Sequence, residues 1–191
     1  MEQAQKEGCD AYDYINRDVE SVPLGANRLI YLPYLMGERT PHLDPNCRGA
    51  FIGLSAIHTR QDLLRAVMEG VTFSLRDCAE VLSEMGVHPN RMLACGGGGT
   101  SKLWRQMLAD VLGCPVSTCA SKEGPALGVA ILAGVGCGAN SSVEQGCEAV
   151  IRVNDPQPPI AQNQAEYARV YDIYRALYPS LKAQYAALAE L

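Results

Sequence analysis

Apolar residues recur at two different periods along the chain, and the changes of period mark its elements. Leu64, Val67, Val71, Leu75, Cys78, Leu82 and Met85 step by three or four, the spacing of one helix face. Thr59 followed by Asp62 has the form of a capping box, and Gly86 sits where a left-handed residue ends a helix. The pattern predicts a central helix of roughly 26 residues whose apolar stripe is its packing face. Glu69 and Arg76, seven positions apart, fall at the edge of that stripe and are expected to pair structurally.

Shorter apolar runs flank this helix. Leu29–Tyr34 and Gly49–Leu54 read as strands, with Pro33 placing the end of the first near a sheet edge. Met92–Cys95 and Cys114–Thr118 read as two more. Between these last two, Trp104, Met107, Leu108 and Val111 recur at helical spacing up to Gly113, so strand, helix and strand follow at the length of a parallel βαβ unit. Lys122–Ala130 opens another helix, with Pro125 in its first turn and Gly128, Ala130 and Ala133 giving a flat face suited to close approach to a sheet. Residues 134–146 loop into a short helix ending near Ala149, and 154–159 form a proline-punctuated connector. Tyr167, Val170, Tyr171, Tyr174, Leu177, Leu181, Tyr185 and Leu188 then make an amphipathic tail, broken or kinked at Pro179, whose tyrosines cover a core while their hydroxyls reach water. At the other end, Ala4, Cys9 and Ala11 define no face, so Met1 to about Ser21 reads as a loose helix or a cut end.

Composition narrows the class. A chain of 191 residues, 48% hydrophobic, sustains one core rather than two. A net charge of −5 without a basic cluster argues against a nucleic-acid partner. No apolar run approaches a membrane span and no signal peptide is visible, so a soluble, cytoplasmic protein is expected. The eight cysteines lack Cys-x-x-Cys spacing and read as reduced thiols; His42, His58 and His88 show no ligand spacing, so no metal site is assigned.

The candidate chemistry lies between the Met92–Cys95 strand and the helix after it, where the chain turns through Gly96, Gly97, Gly98 and Gly99 into Thr100 and Ser101. Residues without Cβ let a ligand approach backbone amides closely, although a glycine turn is as often a bare connection. The Walker A pattern needs Gly where Ser101 precedes Lys102, and a dinucleotide fingerprint needs its third Gly or Ala at Ser101. An NAD site would also need an acidic residue after the next strand, which ends in Thr118-Cys119. A second segment, Gly37-Glu38-Arg39-Thr40-Pro41-His42-Leu43-Asp44-Pro45, concentrates ionisable groups. It reads first as a solvated loop locked by Glu38–Arg39 or Asp44–Arg48 contacts.

Gly-Gly-Gly followed by Ser101, Trp104, Gln106, Ala109 and Asp110 closely resembles the C-terminal signature of the FGGY carbohydrate kinases. Leu-Pro-Tyr-Leu from Leu32, Gly-Glu-Arg-Thr-Pro-His from Gly37, Arg48-Gly49, and Gly-Pro-Ala-Leu-Gly from Gly124 resemble segments of the xylulokinases within it. The resemblance runs from about Leu29 to the end. It implies an α/β, ribonuclease H-like C-terminal kinase domain of the actin, Hsp70 and hexokinase superfamily, lacking its first strands. Residues 1–28 would be a lead-in or cut end, 29–160 the nucleotide-side domain, and 161–191 a helical tail packed on it.

On that resemblance the full-length protein transfers the γ-phosphoryl of MgATP to a pentulose, with D-xylulose to D-xylulose 5-phosphate the leading reaction. Gly96, Gly97, Gly98, Gly99, Thr100 and Ser101 would line the nucleotide, with no catalytic or metal-ligating residue in this chain. Asp44 lies in another loop and Asp110 on a helix, so no general base is assigned and the chain by itself is expected to be inactive. Exposed strand edges and faces would favour a homo-oligomer. The alternative is a non-catalytic actin-like nucleotide-binding or assembly module.

Overall fold

The computed structural model describes residues 6–8, 14, 16–120 and 124–191. In chain order come two 3-10 turns (Val19–Ser21, Ala26–Arg28), strands β1 (Ile30–Leu32) and β2 (Ala50–Ile52) and helix α1 (Arg60–Glu84). Strand β3 (Met92–Ala94), helices α2 (Gly96–Thr100) and α3 (Lys102–Leu112) and strand β4 (Val116–Thr118) follow. Helices α4 (Gly124–Gly136), α5 (Val143–Val150) and α6 (Ala161–Leu188) complete the order. Two compact units result, Met1–His88 with Ile160–Leu191, and Pro89–Pro159. The sequence-based division falls instead after residues 28 and 160. Ala4, Cys9, Ala11, Lys122 and Glu123 lie outside the described residues.

In the first unit β1 and β2 pair antiparallel, with Tyr31 opposite Phe51. Helix α1 starts as its sequence dictates: the Asp62 carboxylate accepts from the Thr59 amide at 2.7 Å while the Thr59 hydroxyl oxygen accepts from the Asp62 amide. Gly86, with φ of 83°, follows its end.

The face that α1 buries is not the one its apolar stripe predicts. Asp62, Arg65, Ala66, Met68, Glu69, Gly70, Thr72, Phe73 and Asp77 are buried, while Leu75, Leu82 and Met85 are 48%, 40% and 73% exposed. Two features reverse the expectation. Ala66 and Gly70 let the helix lie directly on β1, so closely that a Cβ on Gly70 would overlap the Tyr31 carbonyl oxygen. Helix α6 supplies hydroxyl partners for the polar side chains, which makes burying them affordable.

The polar pairs on α1 also differ from the expected Glu69–Arg76 contact. Glu69 accepts from Arg65 Nε at 2.8 Å, from the Gly25 amide and from the Tyr167 hydroxyl. Arg76 instead pairs with Glu80 at 3.3 Å and lies over the Tyr171 ring. Helical neighbours four apart meet more directly than residues seven apart.

Helix α6 runs without a break through Pro179, with Tyr178 and Tyr185 buried on either side of it. Its tyrosines cover the core as expected, but their hydroxyls do not turn to water. Tyr171 donates to Asp77 at 2.6 Å, Tyr178 to Asp44 at 2.9 Å, and Tyr174 bonds the Tyr34 hydroxyl at 3.1 Å.

In the second unit β3 and β4 pair in parallel, with Met92 opposite Val116 and Ala94 opposite Thr118, and α2 and α3 make the crossover. This is the βαβ arrangement read from the sequence. The proline connector adds antiparallel bridges, Gln157 to Val116 and Val153 to Cys119. The flat face expected on α4 is not approached: a Cβ on Gly128 would meet nothing within 4 Å. Its contact surface is instead turned to α5, where a Cβ on Gly146 would come within 2.8 Å of Ile131. The seven described cysteines are all free thiols; Cys9 lies outside the described residues.

Candidate functional site

The glycine turn folds as the five-residue helix α2 rather than as an open loop, and its glycines differ in what they permit. Gly96 has a φ of 76°, a backbone conformation that disfavours side chains, and a Cβ there would meet no atom within 4 Å. A Cβ on Gly98 would lie 3.1 Å from the six-membered ring of Trp104, and one on Gly99 would lie 2.8 Å from the Ala94 carbonyl oxygen. The Ala94 backbone therefore leaves no room for a side chain at 99, one at 98 would have to displace the Trp104 ring by a few tenths of an ångström, and Gly96 faces open space. Gly97 contributes backbone to α2, and Thr100 ends it, exposed.

Ser101 separates α2 from α3 and caps the latter, its hydroxyl oxygen accepting from the Trp104 amide at 3.3 Å. The sequence pattern brings these residues together without revealing the tie between them. Arg105 Nη1 donates to the carbonyls of Gly99 at 2.7 Å and Thr100 at 2.9 Å. Its only prior signal was a basic residue one turn into α3.

Gln106 and Asp110, both part of the recognised pattern, do other work. Gln106 donates to the Asp110 carboxylate at 2.7 Å and to the Pro158 carbonyl, and accepts from Gln157 at 2.5 Å. Asp110 is buried within the unit, and these bonds fasten the connector to α3. No sequence spacing linked Gln106 with Gln157.

The loop from Gly37 to Pro45 belongs to the first unit. Its anticipated ionic locks are main-chain locks instead. The Glu38 carboxylate accepts from the amides of Arg39 and Thr40, Arg48 donates to the carbonyls of Pro45 and Cys47, and the backbones of Glu38 and Asp44 bond each other at 2.9 and 2.8 Å. Short loop spacing favours a side chain meeting its own backbone.

Asp44 accepts from the Asn46 amide and the Tyr178 hydroxyl, which together hold its carboxyl below the ordinary range. His42 stacks on Tyr178 with ring centroids 3.7 Å apart, and its Nε2 lies 3.2 Å from the Tyr34 hydroxyl. Burial pushes the imidazole pKa down against the opposing pull of Asp77, Glu38 and Asp44. These contacts order the loop and leave Arg39, Thr40 and Leu43 exposed.

Among the described residues no group of three or more His, Cys, Asp or Glu side chains is placed to hold a metal ion. None of their helices is long and apolar enough to cross a membrane.

Comparison with known proteins matches residues 2–137 to the FGGY family of carbohydrate kinases, C-terminal domain. The chain is 40% identical over 179 residues to a xylulose kinase of Bacillus subtilis, covering 94% of this chain and 36% of that protein. It is 32% identical to a gluconokinase of the same organism, over 100% of this chain and 37% of the relative. Among solved structures, xylulose kinase from Rhodospirillum rubrum superposes with a TM-score of 0.80 at 34% identity, over 92% of this chain and 35% of that one. The chain thus spans about a third of the length of the curated relatives it matches, and its fold is that of the C-terminal domain of actin- and hexokinase-like kinases.

Proposed function

Because the chain belongs to the FGGY family of carbohydrate kinases, as part of its C-terminal domain, we propose that it supplies the nucleotide side of a cytoplasmic kinase that phosphorylates D-xylulose. The observation that carries the nucleotide role is the open space at Gly96, in a turn whose later residues are met by Trp104 and Arg105. Gly96, Gly97, Gly98, Gly99, Thr100 and Ser101 line the bound nucleoside in this proposal. The amides of such a turn meet a ligand without a side chain intervening.

In this family's chemistry the γ-phosphoryl of MgATP passes to a sugar hydroxyl, a reaction governed by positioning and charge stabilisation. This chain's part is to bind and orient the nucleotide. The sugar preference rests on the xylulose kinase relatives, with gluconate the competing substrate named by the gluconokinase relative. The chain by itself turns over no sugar in this proposal, since no described residue is assigned as general base. Association into a homo-oligomer is supported by the exposed Leu75, Leu82 and Met85 on α1.

Calorimetric titration of ATP into the protein as its gene encodes it, and into its Gly96→Trp variant, tests the nucleotide role. A loss of affinity of about tenfold or more with unchanged circular dichroism is expected; equal affinity overturns it. An ADP-release assay offering D-xylulose and D-gluconate side by side tests the sugar, and a higher kcat/KM on gluconate overturns the choice of D-xylulose.

A further inference from the structure

We infer that Arg105 is a positioning residue for nucleotide binding, fixing the exit of the glycine turn through the carbonyls of Gly99 and Thr100. The inference rests on the nucleotide role proposed for that turn. Four consecutive glycines surrender more backbone freedom on ordering than any other residues, so ties from outside the turn bear strongly on its order. Three residues of the following segment surround it. The Ser101 hydroxyl caps α3, and the Trp104 ring packs where a Cβ on Gly98 would lie. The Arg105 side chain bonds the turn's own main chain, at the carbonyls of Gly99 and Thr100.

The geometry of that bond gives it consequence. The last carbonyls of a helix lack partners one turn further on, and in a five-residue helix they form much of the element. A guanidinium meets two of them at 2.7 and 2.9 Å as charge-assisted bonds. Arg105 itself rides on α3, which is anchored by buried Met107, Ala109, Asp110 and Val111. The side chain thereby couples a glycine turn to a packed helix and sets the direction in which the amides of Gly96 and Gly97 point. Ordering the turn before the ligand arrives lowers the entropy lost on binding.

The test is steady-state kinetics on the protein as its gene encodes it, comparing Arg105→Met, Arg105→Lys and Gly96→Trp. Arg105→Met keeps the apolar stem and removes the donors. We expect its KM for ATP to rise about tenfold while KM for the sugar and kcat stay within about twofold, and Arg105→Lys to recover part of the loss. If Arg105→Met leaves KM for ATP unchanged while Gly96→Trp raises it, the nucleotide role survives and the assignment to Arg105 fails. If neither variant changes it, the nucleotide role fails and this inference with it. Parallel losses in sugar KM and kcat would mean general loosening and also overturn the assignment. Should Arg105→Met not fold, Arg105→Lys carries the same readout, a raised KM for ATP alone supporting the inference and an unchanged one refuting it.

Discussion

The hydroxyl of Tyr167 on α6 lies 3.1 Å from Oε1 of Glu69 on α1, 98 residues earlier in the chain, and accepts in turn from Arg65 Nη2 at 3.0 Å. The same carboxylate oxygen takes bonds from Arg65 Nε and the Gly25 amide. Burial raises the Glu69 pKa, and the Arg65, Gly25 and Tyr167 donors oppose that shift. Truncating Glu69→Leu leaves a buried guanidinium without its partner and is expected to cost about 3–5 kcal/mol. Tyr167→Phe removes one link and should cost about 1–2 kcal/mol. Urea unfolding of both variants checks the order; an equal cost would mean that the carboxylate is not the hub.

Tyr185 makes the opposite case on the same helix. It is buried, yet its hydroxyl finds no hydrogen-bond partner among the described residues. A desolvated hydroxyl without a partner opposes folding. Tyr185→Phe should therefore leave stability unchanged or raise it by about 1 kcal/mol, read as a higher midpoint of thermal unfolding. A fall comparable to that of Tyr167→Phe would reveal a bond at that hydroxyl.

These tyrosines also show what the sequence could and could not disclose. Their helical spacing marked α6 and its buried face, and Thr59, Asp62 and Gly86 marked the ends of α1, because caps and periodicity are local. The α1 stripe through Leu75 and Leu82 misled because choosing a buried face depends on what packs against it. Ala66 and Gly70 admit β1, and hydroxyls 94 to 98 residues away satisfy Glu69 and Asp77. The glycine turn was legible as four residues in a row. The separate duties of Gly96, Gly98 and Gly99 were not, since they depend on where Trp104 and the Ala94 carbonyl lie.

Gly70 turns that lesson into a measurement. Alanine in place of glycine within a helix ordinarily gains about 1 kcal/mol. On α1 the new methyl would overlap the Tyr31 carbonyl oxygen, backbone that cannot swing aside as a side chain does. Gly70→Ala is thus expected to destabilise by about 1–3 kcal/mol. A stabilised variant in chemical denaturation would contradict the close approach of α1 to β1.

His42 gives the first unit a pH dependence whose sign follows from its stacking on Tyr178. Burial lowers its pKa in the folded protein, with Lys182 acting in the same direction and Asp77, Glu38 and Asp44 opposing. Between the lowered value and the ordinary imidazole value of about 6.5, the unfolded chain binds more protons than the folded one. Stability from this group is therefore present above the ordinary value and lost as pH falls through the window. The unfolding midpoint should drop from about pH 7.5 to about pH 5.5, and His42→Phe, which keeps an aromatic ring against Tyr178, should flatten that slope. Asp77 acts with the opposite sign. Burial raises its pKa despite the Tyr171 hydroxyl bond, so its contribution fades as pH rises from the ordinary carboxylate value through the raised one. Asp77→Asn removes both this opposing contribution and the pull of Asp77 on His42, so it should steepen the loss of stability on acidification. An unchanged slope in His42→Phe would remove the imidazole as its source.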